Sequence, residues 1–210
     1  MSPSIFKSIT NNKNYKKDMK YKEIKKTVLE YQKFITNNFD YVGENFTYEA
    51  RSMHYSDKKT SKGIYGSATK NDLKEVLNLI KELAIYENAP DEVTITLKEL
   101  EDDGFLNNPL YWIIIAENDN EIVGISFYYI RYSTWKGKCL YLEDLVVKEE
   151  FRGQHIGKML FNETIKVAKE MNAKLMTWQV LDWNEPALNF YKKFNAEMEN
   201  KWLNGKLRFE

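Results

Sequence analysis

The chain has 210 residues, 43% hydrophobic and 14% aromatic, enough apolar surface for one ordinary core with an appendage. Its 31 Lys and Arg balance 31 Asp and Glu, so charge gives no reason to expect a nucleic-acid or anionic-membrane partner. One cysteine, Cys139, and two histidines, His54 and His155, exclude a disulfide framework and a multi-cysteine zinc site and leave a His-rich mechanism almost no material.

Residues 1–62 read as an N-terminal extension. The first 22 are rich in Asn and Lys and read as a flexible lead, without the apolar core of a signal peptide. Ile24, Val28, Tyr31 and Ile35 recur at helical spacing and predict a helix over 20–39. The SDKKTSKG stretch reads as a linker into a domain spanning 63–210. No apolar run approaches the roughly 20 residues that span a bilayer, so a soluble, cytoplasmic setting is expected.

The domain opens on a short strand, GIYGSAT, then a helix start at Thr69 and Asp72. The helix that follows puts Leu73, Val76, Leu77, Ile80, Leu83 and Ala84 on one face. Thr96 with Glu99 opens a second helix that Gly104 is expected to close. LYWIIIAE and EIVGISFYYI read as a hairpin about Asn118-Asp119-Asn120, and CLYLEDLVV as a further strand. The loop EEFRGQHIG then leads into a helix carrying Ile156, Met159, Leu160, Val167, Ala168 and Met171. KLMTWQVL reads as a strand, Asn184 and Pro186 start a helix ending near Phe194, and an Asn204-Gly205 turn predicts closing strands. The expected fold is α/β: a mixed central sheet of about seven strands flanked by about four helices, with the extra N-terminal segment.

A strand entering a glycine-bearing loop and then a helix is a place for phosphate, because free amides and the helix dipole bind anionic oxygens. On residue chemistry alone the signals stay open. Glu143 reads equally as a solvent-facing strand carboxylate, and Tyr191 as a core aromatic three residues before Phe194. Asn184 is explained as a helix N-cap. A metal role for His155 lacks a partner His or Cys nearby.

The run Arg152-Gly153-Gln154-His155-Ile156-Gly157 resembles the R-G-x-G-x-G/A pyrophosphate loop of the GNAT superfamily of N-acetyltransferases, with His155 where that family usually has glycine. A histidine is among the residues tolerated at positive φ, should the position require it. IKELAIYE, DDGF, YSTWKGK, LYLEDLVV, FRGQHIGK and LDWNEPALNFYKKF occur in order, and together resemble the spermidine/spermine and thialysine N-acetyltransferases.

That resemblance implies an acetyl-CoA-dependent acyltransferase of GNAT fold acting on a primary amine. It implies Glu143 as proton acceptor and Tyr191 as general acid. The acetyl-CoA residues would be Leu145, Val146, Val147, Arg152, Gly153, Gln154, His155, Ile156, Gly157, Lys158, Asn184, Pro186 and Ala187. Tyr86, Glu87, Trp135, Glu143, Asp182 and Trp183 would line the amine site, with no metal.

The polyamine enzymes carry an acidic residue near Ser133 and others near the C-terminal strands, where this chain reads Trp202-Leu203. Fewer carboxylates, with Leu181-Asp182-Trp183-Asn184, resemble the thialysine type and imply a small thialysine- or lysine-like amine. The alternatives are a diamine or polyamine acetyltransferase, or a non-catalytic acetyl-CoA-binding module. The resemblance also implies a homodimer, while the charge balance and the lack of a long apolar run lead us to expect no nucleic-acid or membrane partner.

Overall fold

The structure, a computed structural model, describes residues 39–43 and 63–208 together with Lys26 and Asn37. The helix expected over 20–39 therefore lies almost wholly outside the described residues, although Lys26 and Asn37 are helical. Among the described residues six strands form one sheet in chain order: β1 (Phe39–Gly43), β2 (Gly63–Ser67), β3 (Trp112–Asn118), β4 (Glu121–Ser133), β5 (Gly137–Val147) and β6 (Leu175–Thr177). The outer pairs β1–β2 and β5–β6 are parallel and the inner pairs antiparallel. Strand β1 belongs to the stretch before the expected boundary at residue 63, yet its Phe39 packs into the core at 6% exposure.

Helices cover both faces. Helix α1 (Leu73–Tyr86) and α2 (Leu97–Phe105) lie on one, α3 (Ile156–Glu170) and α4 (Glu185–Lys192) on the other. Strand β3 serves both cores: Ile113 and Ile115 face α1 and α2, Ile114 and Ala116 face α3. Its unbroken apolar run follows from that double burial. The β3–β4 hairpin turns on Asp119 and Asn120, both at positive φ (50° and 63°), as a two-residue turn requires.

The capping boxes expected at Thr69–Asp72 and Thr96–Glu99 both form. Gly104 does not close α2 as expected; it lies inside the helix, where a Cβ would meet the Tyr111 ring at 2.4 Å. Close approach, not a left-handed cap, is what demands glycine there. Two strand expectations also change. Only Leu175–Thr177 of KLMTWQVL pairs as a strand, and residues 196–208 carry no regular structure about Asn204-Gly205. The C-terminal segment is held instead by side chains, Gln179 to Asn204 at 2.8 Å and Arg208 to Glu92 at 2.7 Å, and among the described residues no closing strand adds to the six.

Candidate active site

The site lies where β5 leaves its neighbours. Strand β6 pairs with β5 only from Cys139 to Tyr141, so beyond Leu142 one edge of β5 has no strand partner among the described residues. On its other edge Leu142 pairs with Tyr128 and Asp144 with Phe127, so Glu143 is the extra residue of a β-bulge. A bulge re-aims the side chains that follow it. Leu140 and Leu142 pack toward α3 and α4, and so do Leu145 and Val147, while Val146 joins the α1 core. The alternation is thereby inverted, which turns Asp144 to the α1 side instead of the core under α3.

Three carboxylates interact there. Burial raises the Glu143 and Glu87 carboxyls above the usual carboxylate range. Asp144 is pushed up to about 7, first by burial, then by the charges of Glu143 and Glu87. Glu87 follows the last residue of α1, beside Tyr86, whose ring lies 6.0 Å from that of Trp183. From α4, Tyr191 enters at 7% exposure, its ring 4.7 Å from Trp178 and 5.5 Å from Phe161. Burial, with Asp144 and Glu87 adding to it, pushes its hydroxyl up to about 12. That hydroxyl has no hydrogen-bond partner among the described residues.

Beyond the end of β5 the chain forms a tight turn into α3. Arg152 donates from Nε to the Val147 carbonyl at 3.1 Å, and Gln154 from Nε2 to the Glu150 carbonyl at 3.3 Å. Gly153 (φ 77°) and His155 (φ 62°) are both left-handed, and the space at Gly153 is open. His155 is the N-cap of α3 but makes no side-chain cap bond, and the first turn holds no acid. No side-chain cap or acid of the first turn therefore competes for an anion at the start of α3, where Gly157 and Lys158 also lie. Burial lowers the Lys158 ammonium below its usual value, with Lys193 adding to the effect. At the start of α4, Asn184 is 8% exposed and caps Ala187, and Pro186 lies in the first turn.

These features fit a CoA thioester. A helix start without a side-chain cap suits a pyrophosphate, and the β5 edge facing away from β4, which has no strand partner beyond Tyr141 among the described residues, suits a pantetheine arm. Asn184 keeps a buried amide donor without a protein partner among the described residues.

The structure brings together every expected site segment except one. Glu143, Tyr191, Leu145–Val147, residues 152–158, Asn184–Ala187, Tyr86, Glu87 and Trp183 share this end of the sheet, with exposed Asp182 beside Trp183. Trp135 stands apart. It is 81% exposed in the β4–β5 turn, 6.4 Å from Trp202, and about 20 Å from Glu143 along β5 by strand rise. Sequence reading missed Asp144, because strict alternation assigns it to the face of Leu140 and Leu142.

An acyl-CoA-dependent acyltransferase is the class that this fold and site define. The model of the acetyltransferase (GNAT) family matches residues 73–196, and a model described as a protein of unknown function (DUF1178) matches residues 4–82. Thialysine N-epsilon-acetyltransferase of Bos taurus is 39% identical over 138 residues, 62% of this chain and 81% of the relative. The spermidine/spermine N(1)-acetyltransferase-like protein 1 of Homo sapiens is 38% identical over 136 residues, 61% of this chain and 20% of that longer protein. Among solved structures, the aminoglycoside N-acetyltransferase AAC(6')-Iy in complex with CoA aligns with a TM-score of 0.57 at 18% identity, covering 70% of this chain and 95% of that one. The chain belongs to the GNAT family of acetyltransferases and is an N-acetyltransferase. Among the described residues no helix is long and apolar enough to cross a membrane, and no group of His, Cys, Asp and Glu could hold a metal ion.

Proposed function

We propose that the protein transfers the acetyl group of acetyl-CoA to the primary amine of a small cationic substrate of the thialysine or lysine side-chain kind. The observation that carries this reading is the convergence of Glu87, Glu143 and Asp144 beside the rings of Tyr86 and Trp183, facing Tyr191. Carboxylates in a half-buried cleft favour an ammonium, and the ring of Trp183 suits its methylene chain.

The bound amine, ordinarily near 10.4, must lose its proton before it attacks. Glu143 stands in the bulge to receive it, and Asp144, held at about 7, is matched to pass it on near neutral pH. Acetyl-CoA supplies the activated acyl group. Leu145–Val147 would hold its arm and offer amides to the acyl oxygen. Arg152, Gly153, Gln154, His155, Ile156, Gly157 and Lys158 would hold its phosphates, with Asn184, Pro186 and Ala187 flanking the arm. A hydroxyl near 12 stays protonated, so Tyr191 acts as the hydrogen-bond donor that stabilises the leaving thiolate.

CoA release with thialysine, lysine, putrescine, spermidine, spermine and a peptide tests the acceptor. Preference for thialysine or lysine is the expected result, and preference for spermine overturns it in favour of the polyamine reading. No release with any of them supports an acetyl-CoA-binding module. The exposed Trp135, Trp202, Leu203 and Leu207 support pairing with a second copy, which a single-chain sedimentation coefficient would overturn.

A further inference from the structure

The side-chain carbonyl of Asn184 is doubly committed. Its Oδ1 accepts from the Ala187 amide at 3.2 Å and from the Tyr86 hydroxyl at 3.3 Å. A backbone N–H can only donate, so the first bond identifies the oxygen end of the amide. The nitrogen end is then left without an acceptor among the described residues, in a residue only 8% exposed. A buried donor in that state carries its full desolvation penalty and is aimed at something the protein does not itself supply.

Tyr86 makes a second contact to the cofactor side. The Arg152 guanidinium lies over its ring, 5.2 Å from the centroid. One tyrosine at the end of α1 thus meets both the phosphate loop and the start of α4, segments that nothing in the sequence makes adjacent. With its hydroxyl given to Asn184 and a ring face taken by Arg152, it has little left for a cationic acceptor.

We propose that Tyr86 is a positioning residue for acetyl-CoA: its hydroxyl fixes the Asn184 amide so that Nδ2 meets a carbonyl oxygen of the pantetheine arm, and its ring seats Arg152 beside the pyrophosphate. The inference rests on the acetyl-CoA reading above and reassigns a residue expected on the amine side. Two variants separate the two contacts. Tyr86→Phe removes the hydroxyl and keeps the ring, whereas Tyr86→Leu removes both.

Calorimetry on the full chain, with CoA and with 3'-phosphoadenosine 5'-diphosphate as a probe lacking the pantetheine arm, tests it. Tyr86→Phe is expected to weaken CoA about two- to tenfold, one modest hydrogen bond, and leave the nucleotide unchanged. Tyr86→Leu is expected to weaken both ligands. In an Asn184→Ala background, Tyr86→Phe should have no further effect, the mark of one shared interaction. Melting curves confirm that each variant is folded. A wild-type chain that binds neither probe overturns the acetyl-CoA reading itself. If the wild type binds CoA, an unchanged Kd in Tyr86→Phe overturns the positioning role, as does equal weakening of both probes. A raised amine KM at unchanged CoA affinity returns Tyr86 to the acceptor side.

Discussion

At the scale of single residues, the proposed function makes its sharpest predictions at a hydroxyl and at a backbone angle. Tyr191 is buried among Phe161, Trp178 and Phe190, and Tyr191→Phe keeps that packing while removing the donor. Turnover is expected to fall about 100-fold or more, the usual scale of a lost proton donor. CoA affinity measured by titration should stay within about twofold, since the hydroxyl acts on charge that develops only during transfer. Unchanged turnover in an assay limited by chemistry would remove Tyr191 from the mechanism. His155 poses the opposite case, a side chain held where most residues are strained. His155→Gly relieves a left-handed cost of about 1–2 kcal/mol, offset in part by glycine's own entropy. Melting temperature should therefore rise slightly or hold. His155→Val, β-branched at the same angle, should lower it and weaken CoA together. A Val variant as stable as wild type would mean that the loop does not hold this φ.

At the scale of elements, the helix starts were legible because capping boxes write themselves into sequence as Thr69–Asp72 and Thr96–Glu99. The helix ends were less so. No glycine follows α1, α3 or α4, and each ends instead on an Asn-Ala pair, with Asn88, Asn172 and Asn195 at φ of 60°, 56° and 57°. The alanine amides reach back to Ala84, Ala168 and Tyr191, closing the same six-residue loop three times. Asparagine is the second choice for that conformation, so Asn172→Gly is expected to raise the melting temperature by about 1–3 °C, and Asn172→Ala to lower it comparably. Equal melting of both variants would show that α3 does not depend on this cap. The β5 bulge was not legible. Period-two reading fixes which face each residue takes only while pairing is regular, and one inserted residue at Glu143 reverses the rest. The loop over residues 152–157 and the start of α4 were readable as motifs because their residues are contiguous. The Tyr86–Asn184 bond joins positions far apart in the chain, and no local pattern encodes it.

At the scale of the whole molecule, the sheet gathers raised carboxyls on the α1 side. Glu87, Glu143 and Asp144 stand at the site, and Glu117 in β3 is 8% exposed with no hydrogen-bond partner among the described residues. Burial raises Glu117 first, with Asp72 adding to it. Each of these groups holds its proton more tightly folded than unfolded. The stability they allow is complete below the unfolded value and is lost as pH rises through the folded one. For Asp144 that window runs from the ordinary 3.8 to about 7. Asp144→Asn keeps the shape and removes the titration, so it should melt above wild type at pH 8, by about 4–8 °C if the charge costs about 2 kcal/mol. The gap should close below pH 4, where wild-type Asp144 is already neutral. A cationic acceptor opposes the same penalty, because its ammonium lowers the carboxyls it approaches. Its stabilising effect on the wild type should therefore grow from pH 5 to pH 8 and grow less in Asp144→Asn. Parallel melting profiles for the two proteins across that range would show that Asp144 does not titrate there, and the proton path from the amine would then rest on Glu143 alone.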